Sequence, residues 1–393
     1  MPEAFDAVVI GTGQAGPALA ARLDGEGMRV AVIERKRFGG TCVNTGCMPT
    51  KTLVASAYAA HMARRGAEYG LRLGEVSVDM RRVHERAQAV AHTSSGNVER
   101  WMRGLQHATV IHGHGRFVAA DTVEVDGRQL RAPRIFVDVG GRASVPSMRG
   151  LDRVPYLTNS GMMEVDYLPG HLLVVGGSYV GLEFAQMFRR FGAQVTVIEH
   201  GPALLPREDE DVAKAVREIL EEEGVRIETG AECLAVEGEA GHIVVSAGGS
   251  SGTRRFEGTH LLLAAGRRPN TDDLGLDRAG VKLDARGCIV VDEQCRSSVP
   301  GIWAMGECNG RGAFTHTAYN DYEIVAADVL GEQPPRKLSD RIPCYGLFVD
   351  PPLARIGLTQ GEAKKQGRKL LVGTRPMTRV GRATEKGETQ GFM

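Results

Sequence analysis

Two stretches of this 393-residue chain follow one plan at one spacing. In the first, an apolar run over residues 5–10 (FDAVVI) meets Gly11-Thr12-Gly13-Gln14-Ala15-Gly16. A helical segment over 17–23 follows, then a second apolar run over 29–33 closed by Glu34. In the second, an apolar run over 171–175 meets Gly176-Gly177-Ser178-Tyr179-Val180-Gly181. A helix to about residue 191 and a strand over 195–198 closed by Glu199 complete it. Gly11 and Glu34 are 23 positions apart, and so are Gly176 and Glu199. Strand, glycine turn, helix, strand and terminal acid predict a parallel βαβ unit, and its repetition predicts an α/β chain with two such units.

The residue types explain what such a turn can hold. Gly11 permits a tight turn, Gly13 lets the backbone approach a pyrophosphate, and Gly16 allows close packing of a helix whose N-terminus faces the anion. Ser178 stands where the second glycine of the repeat belongs, which crowds a pyrophosphate slightly without forbidding it. Glu34 is placed to accept a hydrogen bond from an adenosine ribose. Glu199 suits the free 2′-hydroxyl of NADH and repels the extra phosphate of NADPH, a preference that His200 and Arg207 nearby would blunt. One flavin dinucleotide and one nicotinamide dinucleotide is the expected pairing.

Between the two units lies Gly39-Gly40-Thr41-Cys42-Val43-Asn44-Thr45-Gly46-Cys47-Met48-Pro49-Thr50-Lys51. In a regular helix, residues five apart have Cα atoms roughly 8 Å apart, beyond the reach of about 7 Å that a disulfide tolerates. A bond between Cys42 and Cys47 therefore needs a loop or a distorted first turn, and Gly46 supplies a permissive backbone. Pro49 suits the first turn of a following helix. Cys47 would then lie near a helix N-terminus, where a thiolate is favoured, with the charge of Lys51 about one turn on. The stretch reads as a reactive thiol pair, set against the alternative of two unrelated buried cysteines in a glycine-rich turn.

Lys plus Arg equals Asp plus Glu at 48 each, so no global field attracts nucleic acid or an anionic membrane. The Arg pairs at 64–65, 81–82, 189–190 and 254–255 are scattered and read as solvated faces. No apolar run approaches a membrane span, and no signal peptide is visible. Seven cysteines, two at a suggestive spacing, suit a reducing cytoplasm in which a disulfide is catalytic. Residues 55–107 read as mostly helical with a break near 69–78. Residues 110–125 and 130–139 read as antiparallel strands. His112 and His114 lack a third ligand at useful spacing and read as turn histidines, so no metal site is expected. Residues 261–270 (LLLAAGRRPN) and 301–308 (GIWAMGEC) read as buried strands ending in glycine turns, the latter leading to a helix through residue 330. The stretch 339–393 reads as strand (344–349), short helix (362–366) and strand (370–375), stopping without a closing element.

GTGQAG, GGTCVNTGCMPTK, GGSYVGLE, AAGRRPN and GIWAMGEC together resemble, in order and spacing, the flavin-dependent pyridine nucleotide–disulfide oxidoreductases, a family that includes glutathione reductase, dihydrolipoamide dehydrogenase and mercuric reductase. The resemblance covers essentially the whole chain. NTGCMPTK and GRGAFTHTAYNDYE are most similar to the mercuric-reductase-like branch. It implies two Rossmann-like domains for FAD and NADH or NADPH, plus an incomplete α+β interface domain. The implied boundaries are 1–145 and 271–338 for the flavin domain, 146–270 for the nicotinamide domain and 339–393 for a truncated dimer interface. By this resemblance Cys47 is the thiol beside the flavin, and Cys42 is the interchange thiol that meets a metal ion or small disulfide. Lys51 and Glu183 match a pair at the flavin's reactive nitrogen, and Tyr179 matches an aromatic gate over the nicotinamide pocket. His316, Thr317 and Ala318, with Thr315, match a helix start facing the flavin's pyrimidine end. The resemblance also places Arg35, Gly40, Thr41, Gly115, Gly141, Arg268, Gly306 and Glu307 on the flavin, and Gly176, Gly177, Ser178, Val180, Gly181 and Gly266 on the nicotinamide cofactor.

Two further departures bear on activity. Glu307 stands where the family has an Asp for the ribityl chain, and the family's C-terminal His-and-Glu acid–base pair has no counterpart before Met393. A homodimer is expected of the full-length family, less so of a truncated chain. Rival readings are dihydrolipoamide dehydrogenase, running in the opposite direction, and a catalytically impaired flavin-binding redox sensor.

Overall fold

The computed structural model describes residues 1–248 and 252–393, which divide into two compact units. The first comprises residues 1–49, 88–142 and 267–341. At its centre five parallel strands run in the order Ile302–Ala304, Ile135–Val137, β1 (Ala7–Ile10), β2 (Val30–Glu34) and Ala108–His112. Every residue of β1 and β2 is buried, as apolar strands covered on both faces require. Helix α1 (Gly16–Gly25) joins β1 to β2, and its Leu19, Ala20 and Leu23 pack on one face with Phe136 and Ile324. The thiol stretch forms two helices, α2 (Gly40–Asn44) and α3 (Cys47–Arg64), broken at Thr45-Gly46.

The antiparallel reading of residues 110–125 and 130–139 needs correction. Only Arg116–Ala119, Thr122–Val125 and Arg128–Arg131 form an antiparallel meander. Ala108–His112 and Ile135–Val137 are parallel strands of the central sheet. Ile135, Phe136 and Val137 are buried on both faces, and such a run belongs inside a parallel sheet.

The second unit comprises residues 50–87, 143–266 and 342–393, so the stretch 50–87 groups away from the glycine turn that precedes it. Its parallel sheet has the order Arg226–Glu228, β4 (Gln194–Ile198), β3 (His171–Val175) and His260–Leu263. Helix α4 (Tyr179–Phe191) connects β3 to β4, burying Leu182, Phe184, Phe188 and Phe191 in the core that Leu347 and Val349 also enter. A hairpin of Cys344–Leu347 and Leu353–Ile356 belongs to this unit.

The expected strand at 370–375 is absent: the stretch has no ladder partner, Leu371 is fully exposed, and only Arg375 exchanges backbone bonds with Met393 (2.8 and 2.9 Å). A short helix, Gly381–Glu385, follows, and Pro376 bridges Phe392.

Candidate active site

The two glycine turns share their backbone geometry. Gly11 and Gly176 have φ of +100° and +116°, and a Cβ on either would strike the carbonyl oxygen of Asp138 (2.2 Å) or Ala264 (2.5 Å). A Cβ on Gly16 would meet the Gly11 oxygen at 2.4 Å, and one on Gly181 the Gly176 oxygen at 2.1 Å. The terminal acids do the same work in both units. Glu34 accepts from Thr12 N (3.1 Å), Thr12 Oγ1 (2.6 Å) and Lys36 N (2.8 Å). Glu199 accepts from Gly177 N (2.5 Å) and Gly201 N (2.6 Å). Each carboxylate thus braces its own turn before it meets any ligand.

At the mouth of α1 the N–H groups of Gly13 and Gln14 donate to no acceptor among the described residues. Gly40 lies so near Gly13 that a Cβ there would sit 2.9 Å from Gly13 Cα. Open N–H groups on a side-chain-free cradle at a helix start fit a pyrophosphate. Behind the cradle stands a residue the sequence reading missed. Asp138, fully buried, accepts from Gly16 N at 2.7 Å. Burial is the main cause that pushes its carboxyl up to about 8, with Glu34 and Asp321 adding to the rise and the Gly16 and Ala15 N–H groups opposing it. Its signal was present in the sequence: an acid closing an apolar strand, the same signature that marks Glu34 and Glu199.

Cys47 is the first residue of α3, and Cys42 lies in α2 across the glycine break. Thr315 joins them: its hydroxyl is 3.3 Å from Cys47 Sγ and donates to Cys42 Sγ at 3.4 Å. The hydrogen bond with Cys47, then burial, hold the Cys42 thiol far above its ordinary range, while Thr315 opposes the shift. Cys42 therefore keeps its proton in this arrangement. Thr315 opens the helix Thr315–Val329. Thr317 Oγ1 donates to the Phe314 carbonyl at 2.6 Å, Ala318 is buried, and the His316 ring stacks on Phe314.

Other flavin candidates fall in the same unit. Glu307 pairs with Arg267 at 2.6 and 2.8 Å, and Arg267 also donates to Gly141 O at 2.7 Å. Arg267 turns inward where Arg268, the residue singled out from the sequence, is exposed. Gly306 has φ of +72° and Thr41 Oγ1 reaches Gly141 O at 3.4 Å. Arg35 pairs with Asp273 (2.9 Å), and Gly115 lies against Ile33 and Val123. His112 and His114 each meet a backbone carbonyl, of Lys36 and Asp273 respectively.

In the second unit Lys51 Nζ sits 2.6 Å from both carboxylate oxygens of Glu183. Phe348 closes this pair: its ring lies 4.4 Å from Nζ, and its N–H donates to Glu183 at 3.0 Å. Along α4, Tyr179, Glu183, Gln186 and Arg190 share one face by helical spacing, and all four meet the segment 345–350. Tyr179 packs edge-on against Tyr345, Gln186 and Asp350 exchange two bonds of 2.8 Å, and Arg190 pairs with Asp350 (2.8 Å) and Glu223 (2.6 Å). Val180 follows Tyr179 in the first turn of α4, and Gly266, at φ of +104°, accepts from Ser144 N. His200 contacts Ala231 O.

Two braced dinucleotide turns and a thiol pair at a helix start define a flavin- and nicotinamide-dependent dithiol protein. Residues 5–321 match the pyridine nucleotide-disulphide oxidoreductase family, and residues 344–393 match the dimerisation domain of that name. The chain belongs to this family, whose members are FAD-dependent and use NAD(P)H. It is 34% identical to the probable pyridine nucleotide-disulfide oxidoreductase RclA of Escherichia coli, over 99% of this chain and 85% of that protein. Dihydrolipoyl dehydrogenase of Geobacillus stearothermophilus is 31% identical over 99% of this chain and 83% of the relative. Mercuric reductase of Bacillus cereus is 32% identical over 98% of this chain and 61% of the relative. The solved structure of the HOCl-induced flavoprotein disulfide reductase RclA from Escherichia coli superposes with a TM-score of 0.89 at 33% identity, covering 98% of this chain and 85% of that one. No helix among the described residues is long and apolar enough to cross a membrane.

Proposed function

We propose that this chain is a cytoplasmic, homodimeric enzyme that passes electrons from NADH through the Cys42–Cys47 pair to a metal ion, in the manner of a mercuric reductase. The observation that carries the reading is the single hydroxyl of Thr315 set against both sulfurs at the start of α3. Bound FAD would relay the two electrons of a hydride from nicotinamide to the disulfide. NADH, one further proton and the S–S bond then give NAD⁺ and two thiols, so electrons and protons balance.

In this reading Cys47 faces the flavin, where the helix N-terminus favours its thiolate. Cys42 keeps its proton until substrate arrives and then takes the metal ion or attacks a disulfide. The Thr315 hydroxyl donates to whichever sulfur carries charge. Glu183 holds the Lys51 ammonium in place, with Phe348 keeping water from one side of it, and this pair is assigned to the flavin's reactive nitrogen. Tyr179 walls the nicotinamide, and Gly176–Gly181 and Glu199 hold that cofactor's pyrophosphate and ribose. Gly11–Gly16, Glu34 and Gly40 hold the flavin's. Arg267 holds Glu307 toward Gly141, which is how the longer acid is accommodated beside the ribityl chain.

A second reading, dihydrolipoamide oxidation, draws on the near-equal identity to a dihydrolipoyl dehydrogenase. Steady-state turnover of the flavin-loaded chain with NADH and NADPH decides between them, using Hg(II), Cu(II), lipoamide and glutathione disulfide as acceptors. Cu(II) is included because the E. coli relative was solved as a Cu(II) complex. NADH preferred, with a metal ion as the best acceptor, supports the first reading; lipoamide as the best acceptor supports the second.

A further inference from the structure

Outside the groups used above, the most saturated acid in the second unit is Glu208. Its side chain has no exposed surface, although it lies in an acidic run, 208–211. Oε1 accepts from the hydroxyls of both Tyr179 and Tyr345 at 2.8 Å, and Oε2 accepts from Arg355 Nε at 3.0 Å and Nη2 at 2.8 Å. The two phenol rings meet edge-on with centroids 5.8 Å apart. Arg355 and Tyr345 come from the two strands of the hairpin, and Asp209 next door lies 3.7 Å from Arg355 while accepting from Gln360 N and Gly361 N at 2.9 Å.

A buried carboxylate with four donors is fixed in position. Tyr179, the first residue of α4, cannot turn its hydroxyl elsewhere without leaving that carboxylate short of a donor. The geometry points to Glu208 as a positioning residue for nicotinamide binding: clamped by Tyr345 and Arg355, it fixes the Tyr179 ring at the mouth of the second dinucleotide turn. The hairpin matched to the dimerisation domain thereby sets the affinity of the nicotinamide end of the cofactor. This rests on the assignment of Tyr179 to the nicotinamide in the proposed function.

The test is calorimetric titration of the flavin-loaded full chain with NAD⁺ and, separately, with ADP-ribose, which lacks the nicotinamide. Wild type, Glu208→Ala, Tyr179→Phe and the double variant are compared. The anchor predicts an NAD⁺ Kd raised about fivefold in each single variant, the size expected of one lost hydrogen bond. It predicts no further loss in the double variant and unchanged ADP-ribose binding in all four. An NAD⁺ Kd unchanged or lowered in Tyr179→Phe, which keeps the ring and needs no buried charge removed, overturns the anchor while leaving the dinucleotide site standing. An equal loss for both ligands overturns it as well, since that is what general loosening of the unit gives. Wild type binding neither ligand overturns the anchor together with the nicotinamide assignment beneath it.

Discussion

At Asp138 a fully buried acid is placed directly behind an anion cradle, and its protonation belongs to the folding equilibrium. Its ordinary value is 3.8, and in the fold burial raises it to about 8. Between those values the native protein holds a proton that the unfolded chain has lost. Asp138 therefore contributes stability that is full below about 3.8 and declines as pH rises toward 8. Asp138→Asn keeps the shape and removes the titration. The melting temperature of wild type is expected to fall from pH 5 to pH 8 more steeply than that of the variant; parallel curves would remove this role. At the same scale, Lys51 and Glu183 were named from the sequence through the resemblance, because each sits in a motif that carries it, GGTCVNTGCMPTK and GGSYVGLE, and the fold brings them together across 132 positions. Phe348, Arg267 and Glu208 were not, because what defines them is a partner far along the chain. Phe348 meets Glu183 across 165 positions, and Arg355 meets Glu208 across 147. No local pattern encodes such a meeting.

Among the elements, helix α4 connects the repeat to everything else in its unit. Its apolar face was legible as a helix between two strands, and the structure fills it with Leu182, Phe184 and Phe188. Its polar face was not legible as a seam: Arg190 reads from the sequence as part of a solvated pair, and Glu183 is singled out for the flavin alone, until the hairpin residues that cover them are seen. Arg190 is buried among them, with 5% of its side chain exposed between Glu223 and Asp350. Arg190→Ala leaves two carboxylates facing each other without a cation and is expected to destabilise the protein by about 3 kcal/mol, as breaking one side of a buried pair does. A denaturant midpoint within error of wild type would show that solvent reaches this pair freely. The misread strands have a matching cause. Alternation over 110–125 and 130–139 could not say whether a run pairs with its neighbour in sequence or with β1 and β2, and burial on both faces decided for the latter in 135–137.

For the whole molecule, the two dinucleotide units were readable from the equal spacing of glycine turn and acid, and the structure reproduces even the bracing bonds of Glu34 and Glu199. Glu199 is bound to its own turn, so its charge is held in place, and in the proposed function it would lie beside the ribose and oppose a 2′-phosphate. NADH is expected to show at least a tenfold higher kcat/KM than NADPH, a ratio corresponding to about 1.4 kcal/mol. Glu199→Ala should narrow it through the KM for NADPH; equal use of both cofactors by wild type would contradict the assignment.

The central claim is that Cys42 and Cys47 form a redox pair in which Cys47 alone faces the flavin. The most direct measurement is the absorbance spectrum of the flavin-loaded chain under anaerobic titration with NADH. Wild type should develop a long-wavelength band from a thiolate beside oxidised flavin after two electrons. Cys42→Ser should show that band before any reductant is added, and Cys47→Ser should never show it. A wild-type flavin that bleaches fully without the band, or a band that survives Cys47→Ser, would contradict the account.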